Sequence, residues 1–153
     1  MTNNFVAYAI ITLLAGIGIP IMASLNSGLG VKLQSPVLAT TILFAVGLLI
    51  ALSVLLLTEG FPQNPQFTSI PWYFFCGGVF VISYVLSVTW IIPKFGIANA
   101  ISFVLLGQLI SMTAIDHFGF FGVSQYSITS QRLLGLLFMS IGVFMVLNRD
   151  SSV

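Results

Sequence analysis

Four stretches, Phe5–Leu25, Val37–Leu57, Trp72–Ile92 and Ile97–Ile115, run without a single Asp, Glu, Lys or Arg. Each approaches or passes the roughly 20 apolar residues a helix needs to cross about 30 Å of hydrocarbon. A fifth stretch, Ser130–Leu147, carries Arg132 near its start, where a long side chain can snorkel to the headgroups. Such a chain cannot assemble a water-facing surface. Only 5% of its residues are charged, against about 25% in an ordinary globular domain. Its solvent is therefore lipid, in keeping with a mean hydropathy of +1.14. The expected fold is an all-α integral membrane protein, a single domain of five transmembrane helices over residues 1–153.

Several functional classes fall away. A net charge of +1 supplies no basic field for nucleic acid. Cys76 is alone, so neither a disulfide framework nor a metal cluster is expected. The chain shows no nucleophile–base pair, phosphate-cradling loop or histidine cluster, so an enzyme is not expected, nor a cofactor. The N-terminal Met-Thr-Asn-Asn lacks the basic region of a cleavable signal, and the apolar run behind it is too long for one. It reads as the first span.

Few polar groups remain at membrane depth, where they are expensive and are default candidates for function. In span 1, Gly16, Gly18 and Pro20 form a candidate hinge. Proline removes a backbone hydrogen bond, and broken helices often line transporter sites. Asn26–Ser35 reads as a short polar turn, with Pro36 suited to the first position of the next helix. In span 2, Thr40, Thr41, Gly47 and Ser53 read as packing notches and back-bonded hydroxyls. Thr58–Pro71 is the longest connector, with Glu59, Pro62, Pro65 and Pro71, and Trp72 and Tyr73 follow as an interfacial aromatic belt. In span 3, Gly77 and Tyr84 share a helix face, and Ser83 and Ser87 form a small-xxx-small pair. Pro93-Lys94-Phe95-Gly96 reads as a tight hairpin that makes spans 3 and 4 antiparallel neighbours.

Span 4 carries the densest chemistry, in Gly107–Gly122. Gln108 can face a ligand or bond a neighbouring helix. Asp116 can carry a proton or cation, or can cap the interface and balance Arg132. Histidine has a reference pKa near neutrality, so His117 can relay a proton or simply hold a turn. The proposed pathway lies between spans 1, 3 and 4, with Gln108, Tyr84, Ser111, Asn26 and Trp90 as substrate contacts and Asp116 and His117 as coupling or gating groups. Tyr84 and Trp90 could also meet a cationic substrate through their rings.

Five spans put the termini on opposite sides. Lys32, Lys94 and Arg149 share one side, and Arg132 lies near the other with Glu59, Asp116 and His117. The positive-inside rule then places the N-terminus outside and the C-terminus in the cytoplasm, by three basic residues against one.

The pattern of Asn26, Pro36, Gly47, Gly77-Gly78, Pro93, Gly96, Gly107-Gln108, Ser111, Asp116-His117-Phe118-Gly119, Gly122, Arg132, Gly135 and Gly142 resembles the YdcZ-like inner-membrane exporters. These form the small five-helix branch of the drug/metabolite transporter superfamily. The most specific part is G-Q-x-x-S-x-x-x-x-D-H-F-G at Gly107–Gly119, followed by R-L-L-G at Arg132–Gly135. One departure is Met22, where the family often has a glutamine four residues before the asparagine of span 1.

The resemblance implies a bacterial plasma-membrane protein, half of a ten-helix transporter. It also implies pairing with a second copy or a homologous chain, with an antiparallel arrangement and dual topology in view. The superfamily moves small metabolites or drugs. The expected function is accordingly that of a small secondary transporter, an exporter working as a dimer by alternating access in the lipid bilayer. The alternatives are a small ion or solute channel, and a non-transporting membrane subunit that stabilises a partner.

Overall fold

The computed structural model describes residues 2–61 and 70–147, and every regular element among them is helical. The chain folds as α1 (Thr2–Lys32), α2 (Pro36–Thr58), α3 (Gly77–Phe95), α4 (Ile97–Phe118) and α5 (Ser130–Leu147). Short 3-10 turns at Trp72–Cys76 and Phe120–Gly122 precede α3 and follow α4. Four helical stretches are long and apolar enough to cross a membrane: Phe5–Lys32, Pro36–Thr58, Trp72–Phe95 and Ile97–Phe118. The fifth helix is apolar but shorter; its 18 residues rise about 27 Å. Most of the middle connector, including Pro62 and Pro65, and the tail with Asn148 and Arg149 lie outside the described residues.

Two compact units make up the chain, Met1–Lys94 and Phe95–Val153. In the first, α1 and α2 pair through a three-residue reversal at Leu33–Ser35. Gln34 sits at φ +52°, the Ser35 N–H donates to the Gly30 carbonyl at 3.0 Å, and the Gln34 N–H donates to that of Val31 at 3.1 Å. This is a Schellman closure, which satisfies carbonyls orphaned at a helix end. Ser35 then caps α2 by accepting from the Leu38 N–H at 3.1 Å, with Pro36 at the first turn.

The expected polar turn over Asn26–Ser35 is therefore corrected: Asn26 to Lys32 are helical. Asn26 and Gly30 belong to the buried side of α1, where leaving the helix would forfeit both packing and a hydrogen bond. Ala23, Asn26, Ser27 and Gly30 are all buried, and their i, i+3, i+4, i+7 spacing is one helix face. The helix also runs unbroken through Gly16, Gly18 and Pro20.

A second correction concerns Pro93–Gly96. Pro93 lies inside α3, which continues to Phe95, and Gly96 alone, at φ +83°, separates it from α4. Pro93 costs α3 one helical bond, the one that the Thr89 carbonyl would have received.

Against α3, residues 36 and 37 of α2 share a groove with Leu86, Ser87 and Trp90, while residues 40, 41 and 44 share one with Ile82 and Leu86. Rising numbers on α2 meet falling numbers on α3, so the two helices run antiparallel. The C-terminal ends of α1 and α3, bearing Lys32 and Lys94, thus lie at the same end of the unit. In the second unit, α4 and α5 form an antiparallel pair, with Asp116 at the end of α4 beside Arg132 at the start of α5.

Candidate functional site

In lipid the hydrophobic effect supplies little drive for helix association, because the tails are as apolar as leucine. Polar bonds and close-packed small residues decide where helices meet. In the N-terminal unit both occur at one crossing. The Asn26 amide of α1 donates to the Thr89 hydroxyl of α3 at 2.6 Å, and the two residues are 4% and 2% exposed. One turn further along α1, Gly30 lets the backbones close in. A Cβ there would stand 3.0 Å from the Thr89 methyl and 3.4 Å from the Pro36 Cα. Ala39 of α2 is fully buried against the same place.

Thr40 follows Ala39 and behaves unlike most hydroxyls of the chain. Thr12, Thr41, Ser53, Thr58, Ser83, Ser87, Thr113 and Ser140 all donate to carbonyls of their own helices. Such back-bonded hydroxyls have already placed their proton within their own helix. Thr41 and Ser53 meet that expectation. Thr40 does not: it is 4% exposed, and its Oγ1 is buried with no hydrogen-bond partner among the described residues. Thr40 lines a cavity of about 290 Å³ with Val37, Thr41, Phe44, Ile82 and Leu86. Asn26 lines a second groove of about 290 Å³ with Met22, Leu29 and Ile42 among others. Where a polar partner for Asn26 could stand one turn earlier on α1, Met22 contributes only hydrocarbon and sulfur.

The remaining sequence-derived candidates divide between the units. Tyr84, in the first, has a hydroxyl that is buried without a partner among the described residues. Trp90 is 56% exposed, lines a cavity with Pro36, Val37, Leu86 and Ser87, and carries the Lys94 ammonium 3.7 Å above its ring. That contact is a cation–π pair at the helix end. A Cβ at Gly16 or at Gly18 would meet nothing within 4 Å among the described residues. Gln108 and Ser111, in the second unit, are exposed on α4, with no hydrogen-bond partner among the described residues.

Asp116 and His117 are built into the closure of α4 onto α5. The Asp116 carboxylate forms an ion pair with Arg132, both side chains being partly buried. The connector folds back over the end of α4. There the Tyr126 N–H donates to the Asp116 carbonyl at 2.8 Å, and the Gln125 amide donates to the His117 carbonyl at 2.8 Å. These bonds satisfy acceptors that a helix end otherwise leaves open. Gly119 makes the fold-back possible. Its φ is +64°, and a Cβ there would meet Gln125 at 3.3 Å and the Val123 carbonyl at 3.4 Å. Thr129 caps α5 by accepting from the Arg132 N–H at 3.2 Å. The carboxylate thus has a resident cation and the turn has a structural purpose.

This combination of a polar crossing and an Asp-His-Phe-Gly turn latched to an arginine sits in a frame of lipid-length helices. A family model described as "Putative inner membrane exporter, YdcZ" matches residues 7–145. The chain belongs to the YdcZ family. It is a multi-pass inner-membrane protein of an exporter family. No curated protein matches it, and no solved structure does.

Sequence reasoning did not single out Thr89, Gly30 or the orphaned Thr40 hydroxyl. One signal was present. Ala23, Asn26, Ser27 and Gly30 fall at i, i+3, i+4 and i+7, a stripe of small and polar residues on one helical face. The choice of Thr40 over Thr41 carried no comparable mark, since it depends on which hydroxyl faces a helix packed from elsewhere.

Proposed function

We propose that the chain is a secondary transporter that exports a small metabolite or drug-like solute by alternating access, and that it works as a dimer. The observation that supports this reading best is the Thr40 hydroxyl, buried and unpartnered among the described residues on the wall of a cavity. A buried hydroxyl without a partner costs roughly 1–3 kcal/mol. In a chain this poor in polar groups, a solute that bonds Thr40 offsets that cost. Asn26 and Thr89 hold the helices at the crossing, Tyr84 and Trp90 extend the path along α3, and Gly16, Gly18 and Pro20 give α1 room to bend.

Two five-helix chains make a ten-helix transporter. The exposed Gln108 and Ser111 on α4 favour a second copy as the cover, because a lone amide facing hydrocarbon is costly. In this reading both units act together as one transport domain. The N-terminus faces outside and the C-terminus the cytoplasm, with Lys32 and Lys94 on the cytoplasmic side, and an inverted partner supplies the opposite orientation. His117 and the Asp116–Arg132 pair serve as coupling or gating groups.

The test is Thr40→Val, which swaps the hydroxyl for a methyl of the same size. In proteoliposomes holding only this chain, solutes first selected from a metabolite panel by thermal shift are followed by flux. The expected result is a melting point equal to or above that of the parent, with flux reduced about tenfold. Undiminished flux removes Thr40 from the path. An absence of carrier-type flux from any solute that binds refutes transport by this chain alone.

A further inference from the structure

The C-terminal unit holds a cavity to which the transport reading assigns no solute; of its lining that reading uses His117 alone. It has a volume of about 380 Å³ and lies between α4 and α5, walled by Leu109, Ala114, Phe118, Ile128 and Leu136, with Thr113, His117 and Ser140 as its polar members. That volume is within the roughly 300–1,000 Å³ of small-molecule sites. Two of the three polar members are already committed as donors. The Thr113 hydroxyl donates to the Leu109 carbonyl at 2.8 Å and the Ser140 hydroxyl to that of Leu136 at 2.8 Å. The third is not. His117 Nδ1 is buried with no hydrogen-bond partner among the described residues. The carbonyl of the same residue is held by Gln125 at 2.8 Å, and its ring packs edge-on against Phe118, with centroids 4.9 Å apart. The imidazole packs at the cavity wall against Phe118, with its buried Nδ1 unused.

We infer that this cavity binds a neutral, mainly hydrocarbon molecule carrying a single hydroxyl, of the size of a one- or two-ring phenol, with the hydroxyl on His117 Nδ1. The choice of a hydroxyl follows from imidazole chemistry. In neutral histidine one ring nitrogen donates and the other accepts, and a hydroxyl can serve either, as donor to a bare Nδ1 or acceptor from Nδ1–H. The two wall hydroxyls have given their protons to their own helices and can only accept, so beyond His117 the cavity offers a polar ligand little. A cationic ligand would meet no counter-charge among the residues lining the cavity, and an anionic one would have to bury a charged imidazole with it. Such molecules concentrate in the bilayer and can reach the cavity from it. The site is built wholly from α4, α5 and their connector, and it stands whether or not the Thr40 cavity carries transport.

The experiment uses the full chain in detergent micelles, with naphthol and methylnaphthalene as probes that differ by hydroxyl against methyl. Binding of each is measured to the parent, to His117→Leu and to Ala114→Leu, which fills the cavity. The expected result is that His117→Leu weakens naphthol about tenfold while methylnaphthalene changes by less than about twofold, and that Ala114→Leu weakens both. Nitrogen-15 NMR of the parent needs no variant. Naphthol, and not methylnaphthalene, should shift the His117 Nδ1 resonance. Equal loss of both probes in His117→Leu, unaltered binding in Ala114→Leu, or an Nδ1 resonance indifferent to naphthol would each overturn the assignment.

Discussion

Thr89→Val is the sharpest perturbation of the helix crossing. It exchanges a hydroxyl for a methyl and leaves the shape at Gly30 nearly unchanged. Two terms set its cost. Interhelical hydrogen bonds in membranes average about 0.6 kcal/mol and reach about 1.7, because separated helices find other partners. The Asn26 amide, 4% exposed, then loses the acceptor it now reaches at 2.6 Å. A buried donor left unpaired adds roughly 1–3 kcal/mol. A loss of about 2 kcal/mol is expected, read by reversible unfolding in mixed micelles. Asn26→Leu alone should cost less, since the Thr89 hydroxyl can turn to the carbonyl of its own helix. The double variant, Asn26→Leu with Thr89→Val, removes both partners and should recover about 1 kcal/mol relative to the sum of the singles. Additive singles, or a Thr89→Val protein as stable as the parent, would refute the claim that this bond fastens α1 to α3.

Three further outcomes follow from the same geometry. Gly30→Leu should destabilise by roughly 1–3 kcal/mol in the same assay, since even its first carbon would stand 3.0 Å from Thr89, while Gly47→Leu, with open space around it, should change little. Gly119→Ala combines a left-handed backbone with a 3.3 Å contact and should cost about 1–2 kcal/mol, detectable as faster proteolysis of the α4–α5 connector. Asp116→Asn and Arg132→Gln should each lower stability by about 1 kcal/mol for a partly exposed pair, whereas the double replacement should lose less than the two together.

Much of the frame was legible because lipid imposes a simple rule: long uncharged stretches must be helices. The boundaries failed where a polar residue stood inside a helix. Asn26 and Ser27 look like loop residues beside Gly28 and Gly30, yet the Thr89 partner of Asn26 on α3 lies 63 positions away, so no local signal announces the bond. Pro93 reads as a helix end but sits within α3, at a cost of one backbone bond. The pairing of Asp116 with Arg132, in contrast, could be anticipated from two opposite charges isolated in apolar sequence and only 16 residues apart. The unused hydroxyl of Thr40 was not visible, since its neighbour Thr41 has the same chemistry and only packing separates them.

The central claim is that the Thr40 cavity opens in turn to each side of the membrane. Thiol labelling measures this without knowledge of the solute. With Cys76→Ser removing the lone native thiol, Thr40→Cys is exposed in sealed vesicles to a membrane-impermeant reagent added from one side or the other. The account predicts reaction from both sides, slowed when an exported solute is present. No reaction from either side, while Ser124→Cys in the connector is labelled, would contradict it.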